Sequence, residues 1–106
     1  MNKAEILDRL EQVILSRKGG DADKSYVAKL FTKGRKKIAQ KVGEEGVETA
    51  LAAVMDDKDE VISESADLLF HMMILWADMG ITPDDIFAEL ARREGISGID
   101  EKNARR

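Results

Sequence analysis

Residues 66–77 read ADLLFHMMILWA, and only Asp67 and His71 in that run are polar. At 3.6 residues per turn the apolar side chains go round the whole circumference, so a helix here is covered on most sides. Asp67 and His71 are four apart and Glu64 precedes Asp67 by three, which puts all three on one stripe. A carboxylate on such a helix has to be neutralised, paired or bound to a metal. The helix therefore needs neighbours, and those neighbours must answer an acidic stripe.

Outward from this segment the spacing stays helical. Asn2 caps a first helix, with Glu5 as capping-box partner and Ile6, Leu7, Leu10, Val13 and Ile14 as its apolar stripe; Gly19 and Gly20 close it. Ser25 caps a second, carrying Val27, Leu30 and Phe31 and stopped near Gly34. A third runs from Arg35 to about Met55 with Ile38, Val42, Val47, Ala50, Leu51 and Val54 inward. Asp56 to Asp59 make a polar turn, and Asp59 caps the fourth helix, which ends at Met79 and Gly80. Thr82 caps a fifth with Pro83 at its first position, Asp84 and Asp85 at the positive end of the dipole, and Ile86, Phe87 and Leu90 apolar. The tail from Glu94 has no clear period, and nothing alternates long enough to be a strand. The expectation is an all-α fold, an antiparallel bundle of about five helices in one domain over residues 1–106.

A chain of 106 residues buries only about 60–70% of its unfolded surface, so dimerisation is expected to complete the bundle. Met72, Met73, Trp76 and Met79 are then core or dimer contacts, and Gly43 and Gly46 either allow a helix to approach closely or are tolerated defects.

Composition excludes several classes of function. The longest apolar stretch, Leu68 to Ala77, is too short for the roughly 20 residues that cross a bilayer. The absence of cysteine removes a disulfide framework, a zinc–thiolate site and a thiol nucleophile. MNKAEILDRL at residues 1–10 lacks the apolar core of a signal peptide. A soluble, cytoplasmic chain is expected, with no membrane partner. The net charge is only −4, yet it is unevenly placed. Lys24 to Gly43 hold seven basic residues and no acid; Glu44 to Asp67 hold nine acids against Lys58 alone. Such blocks are either solvated helix faces or the two halves of a site for an anion that arrives with a divalent cation. Nucleic acid is not expected as a partner, because the acidic block would repel a long polyanion.

The acids have an internal order. Glu45-x-x-Glu48 on the third helix and Glu64-x-x-Asp67 on the fourth each make an oxygen-rich patch. Facing each other, they form a cluster of four carboxylates that divalent cations would neutralise. Oxygen ligands favour Mg²⁺ or Mn²⁺. The Glu-x-x-His pairs of di-iron bundles are missing. Lys37, Lys41 and Glu45 follow at i, i+4 and i+8, so phosphates held by the lysines could reach the metals.

Residues 25–48, SYVAKLFTKGRKKIAQKVGEEGVE, and 64–81, ESADLLFHMMILWADMGI, resemble the phosphoribosyl-ATP pyrophosphatase family of the all-α nucleotide pyrophosphohydrolases. That group's signature, Glu-Glu-x-x-Glu and then Glu-x-x-Asp, falls on Glu44, Glu45, Glu48, Glu64 and Asp67. The likeness extends to ARREGISGIDEKNARR at 91–106, and Gly46 stands where the family leads one to expect Ala. The resemblance implies Mg²⁺-dependent hydrolysis of phosphoribosyl-ATP to phosphoribosyl-AMP and pyrophosphate, the second step of histidine biosynthesis. It implies Glu45, Glu48, Glu64 and Asp67 as metal ligands, and Glu44 behind them or as general base. Lys33, Arg35, Lys37 and Lys41 are the candidate phosphate contacts, and Tyr26 the candidate nucleotide contact. His71 is read as a hydrogen-bonded core residue, with a ligand or substrate role as the alternative. Two other functions stay open: a house-cleaning nucleoside triphosphate pyrophosphohydrolase, and a non-catalytic helical dimerisation module whose acidic stripe binds basic partners.

Overall fold

Five helices and no strand make up the described part of the chain, residues 3–95 and Lys102, in the computed structural model. They are α1 (Ala4–Arg17), α2 (Tyr26–Lys33), α3 (Arg35–Val54), α4 (Lys58–Met79) and α5 (Pro83–Arg93). Most ends follow from local chemistry. The Ser25 hydroxyl accepts the Ala28 N–H at the start of α2. Thr82 and Asp85 form a reciprocal capping box at α5, with Pro83 in the first turn. Gly80 closes α4 in the left-handed conformation at φ 73°. Gly34, at φ 96°, is both the last cap of α2 and the first of α3. A side chain there would strain the backbone.

Two caps differ from expectation. The α4 cap is Asp57, whose carboxylate accepts the Glu60 N–H, and Asp59 lies inside the first turn. Asp56 takes φ 56°, so the chain leaves α3 and enters α4 within three residues and the cap comes early. At α1, Lys3 occupies the cap position without a side-chain hydrogen bond. Asn2 lies outside the described residues, as do 96–101 and 103–106 of the tail.

Ile14, Ile38 and Ile74 are fully buried and form the core with Val27, Leu30, Met73 and Ala77. Leu7, Leu10, Phe31, Phe70, Leu75 and Trp76 pack around them. Met72 is half-buried, while Met79 is exposed. Helices α3 and α4 make the most extensive contact; α1 and α2 lie against this pair.

The inward face of α3 is not its most apolar one. Its buried and half-buried stripe is Ile38, Val42, Glu45, Thr49 and Ala52, with Glu45 only 7% exposed. Val47, Ala50, Leu51 and Val54, expected inward, face solvent; Val54 is 81% exposed. Sorting faces by hydropathy sends a glutamate outward, whereas here Glu45 lies on the covered stripe. Ile6 and Val13 of α1 and Phe87 and Leu90 of α5 are likewise exposed. On the acidic stripe of α4, Glu64 and His71 are covered, and Asp67 is exposed rather than buried. A Cβ added at Gly43 or Gly46 would meet nothing within 4 Å among the described residues, so no close approach of a helix within the single chain accounts for either.

Candidate metal centre and lysine cleft

Helices α3 and α4 bring Glu45, Glu48 and Glu64 together, with one carboxylate oxygen from each lying within 4.8 Å of the others. Glu45 is buried, Glu64 half-buried and Glu48 exposed, so the group is open on one side. Glu45 Oε2 and Glu64 Oε2 are buried with no hydrogen-bond partner among the described residues. Buried oxygens in native folds are normally satisfied, and these two face other acceptors instead. The Glu64 carboxyl is pushed up to about 8, because Glu48 first and then Glu45 favour its protonated form. Without a cation, one shared proton is how the group tolerates itself near neutral pH. Hard, crowded, unpartnered oxygens fit a divalent cation, and Glu45, Glu48 and Glu64 could hold one. Asp67 lies outside this trio.

A second assembly forms where α2 meets α3. Tyr26, Lys29, Leu30, Lys33, Lys37 and Lys41 line a cleft of about 180 Å³. Whole small-molecule sites run to roughly 300–1,000 Å³, so this cleft has room for part of such a ligand rather than all of it. The lysines stand one turn apart in pairs, 29 and 33 on α2, 37 and 41 on α3. Four ammonium groups around one hollow focus a positive field on it.

Lys41 joins the two assemblies. It lines the cleft, and its Nζ lies 3.3 Å from Glu44 Oε2 and 3.7 Å from Glu45 Oε1. The hydrogen bond to Glu44 raises the Lys41 pKa. Hydrogen bonds from Gln40 and then Lys41 lower that of Glu44, which keeps its carboxylate ionised. Tyr26 sits at the same junction: burial raises its phenol, the Lys41 charge opposes that, and Glu45, Asp67 and Glu44 add to it. Its hydroxyl lies 2.7 Å from His71 Nε2.

The structure thus gathers Tyr26, Lys33, Lys37 and Lys41 in one cleft, Glu45, Glu48 and Glu64 in one acidic group, and Glu44 beside the lysine between them. Arg35 is elsewhere: its Nε donates to Asp78 Oδ2 at 2.9 Å, and Nη2 to the Asp78 carbonyl at 3.3 Å. That pairing ties the start of α3 to the end of α4. Lys29 is the cleft residue that the sequence reading omitted; its i, i+4 relation to Lys33 was the available signal.

Comparison with known proteins points the same way. The profile of the phosphoribosyl-ATP pyrophosphohydrolase family matches residues 7–94. The chain is 61% identical to phosphoribosyl-ATP pyrophosphatase of Paramagnetospirillum magneticum, over 96% of this chain and 94% of that protein. It is 58% identical to the enzyme of the same name from Rhodospirillum rubrum, over 96% and 87%. Against that of Azospirillum brasilense it is also 58% identical, over 97% and 93%.

Proposed function

The chain belongs to the phosphoribosyl-ATP pyrophosphohydrolase family, hydrolases of a phosphoanhydride bond, and from that premise we propose its reaction. It hydrolyses phosphoribosyl-ATP to phosphoribosyl-AMP and pyrophosphate with Mg²⁺, the second step of histidine biosynthesis, in the cytoplasm. The observation that carries the reading is the pair of unpartnered buried oxygens on Glu45 and Glu64, with Glu45 one helical turn from Lys41 of the four-lysine cleft.

Glu45, Glu48 and Glu64 would hold the cation, and Asp67 completes the set as the last residue of Glu64-x-x-Asp67. A bound divalent ion offsets phosphate charge and makes its bound water more acidic. The chain does the rest. Lys29, Lys33, Lys37 and Lys41 bind phosphate oxygens, and Lys41, tied to Glu44 and Glu45, sets the phosphates against the carboxylates. Glu44, kept ionised, takes the proton of the attacking water in this reading. The water oxygen bonds to phosphorus, the α–β anhydride breaks, and its electron pair leaves with pyrophosphate, whose charge the lysines neutralise.

The active form is a homodimer that completes an antiparallel bundle. Its support is the exposed apolar set Val47, Leu51, Val54, Met55 and Ile62 on α3, the turn and α4. Light scattering at micromolar protein should give twice the chain mass, and a monomer would count against it. A substrate panel with Mg²⁺ tests the reaction. Pyrophosphate should be released from phosphoribosyl-ATP; fast release from dUTP or dCTP alone would favour the house-cleaning enzyme. No turnover of any nucleotide would favour the non-catalytic module.

A further inference from the structure

We propose that His71 is a positioning residue that engages the Tyr26 hydroxyl proton, so that the phenol oxygen meets the ligand only as an acceptor. The hydrogen-bond logic is closed. His71 Nδ1 lies 2.7 Å from the Asp67 backbone carbonyl, which can only accept, so Nδ1 carries the imidazole proton. In the neutral ring Nε2 is then a lone pair, and the Tyr26 hydroxyl 2.7 Å away donates to it. His71 is 5% exposed and cannot trade this partner for bulk water. The tyrosine ring is fixed as well: it stacks on Phe70 at 6.4 Å and meets His71 edge-on at 5.7 Å, while Phe70 and His71 meet edge-on at 5.3 Å.

A phenol whose proton is committed offers lone pairs only. Phosphate oxygens are acceptors too, so the Tyr26 end of the cleft disfavours them and the lysines take them. The ligand group beside Tyr26 is therefore a donor, a hydroxyl or amine of the nucleotide. This divides one cleft into an anion end and a donor-reading end, and it rests on the proposed nucleotide substrate.

His71 is the only histidine in the chain, so the imidazole ¹⁵N resonances of this 106-residue chain report on it without assignment. The expected spectrum is that of the Nδ1–H tautomer, and Tyr26→Phe should shift the Nε2 signal while Nδ1 keeps its proton. An Nε2–H tautomer, an imidazolium, or an Nε2 signal indifferent to Tyr26→Phe overturns the proposal. Kinetically, Tyr26→Phe and His71→Phe should raise KM for phosphoribosyl-ATP about tenfold, the effect of one hydrogen bond, with less change in kcat. His71→Gln, whose amide oxygen can again accept, should recover most of it. Binding of inorganic pyrophosphate, measured by calorimetry, should be the same in all variants. If it weakens in step with KM, the phenol touches phosphate and the proposal falls. Should the wild-type protein leave phosphoribosyl-ATP intact, the enzymatic reading fails, while the resonances and pyrophosphate binding still decide the role of His71.

Discussion

On α5, Glu89 faces Arg92 and Arg93, and its carboxyl is held down to about 2; on α4, Glu64 faces Glu48 and Glu45 and is pushed up to about 8. The side chain is the same, and helices carry both. What differs is who answers the charge. The α5 surface neutralises itself with its own arginines three and four residues on, Arg92 first. The α3–α4 surface leaves its charge for something outside the chain to settle. The lysine cleft is the same situation with the opposite sign, and Lys41 spans the two. What the protein has left unbalanced is thus what sets the proposed site for a metal-bound anion apart from ordinary surface charge.

The contrast breaks most visibly at Glu48. Glu48→Gln should cut turnover at least about a hundredfold, since even groups behind metal ligands cost 10–100-fold when removed. The metal-free melting midpoint should hold or rise, because one crowded negative charge has gone. Unchanged turnover with a lower midpoint would make the trio a self-satisfied cluster like that of α5.

Magnesium and pH come next in size. Binding to the folded state alone at a hundred times Kd adds about 2.7 kcal/mol, on the order of 10 °C in a domain of this size. The sign with pH follows from Glu64, whose folded pKa of about 8 exceeds the ordinary 4.5. Its contribution to stability is complete below about pH 4.5 and is lost as pH rises through 8. Metal-free protein should melt lower at the alkaline end of that window, saturating Mg²⁺ should close the gap, and Glu64→Gln should flatten the profile. Glu89 runs the other way: its contribution is present above about pH 4.5 and is lost as pH falls towards 2. Because that pair group is exposed, Glu89→Gln should lower the melting midpoint only slightly at neutral pH.

The smallest test sharpens the view of α3. Gly46→Ala should add up to about 1 kcal/mol of helix stability, since its Cβ meets nothing within 4 Å in the single chain. Destabilisation, read by melting, would mean that a second copy rests against that part of α3.

What could be read from the sequence was what local chemistry decides. Ser25, Gly34, Gly80 and the Thr82–Pro83 pair mark helix ends because a cap acts within three or four residues. The turn at 56–59 offers three aspartates in four positions, and only the left-handed Asp56 selects Asp57 as the cap. The Glu-x-x-Glu and Glu-x-x-Asp spacings brought three of four carboxylates into view as a group; the exposure of Asp67 depends on how α4 is packed. Arg35 stands among the candidate phosphate contacts by sequence; its pairing with Asp78, 43 residues away, is a tertiary contact that sequence spacing cannot show. The inward stripe through Glu45 ran against hydropathy, which cannot register a buried acid.

Gly34 joins the two lysine-bearing helices with no intervening loop. Lengthening that junction would swing one pair of ammonium groups away from the other, and a bulkier residue is opposed by the φ of 96°. Redesign of the proposed recognition surface for a larger or smaller ligand must therefore proceed by exchanging side chains along α2 and α3, because insertion at their corner would dismantle what it was meant to enlarge.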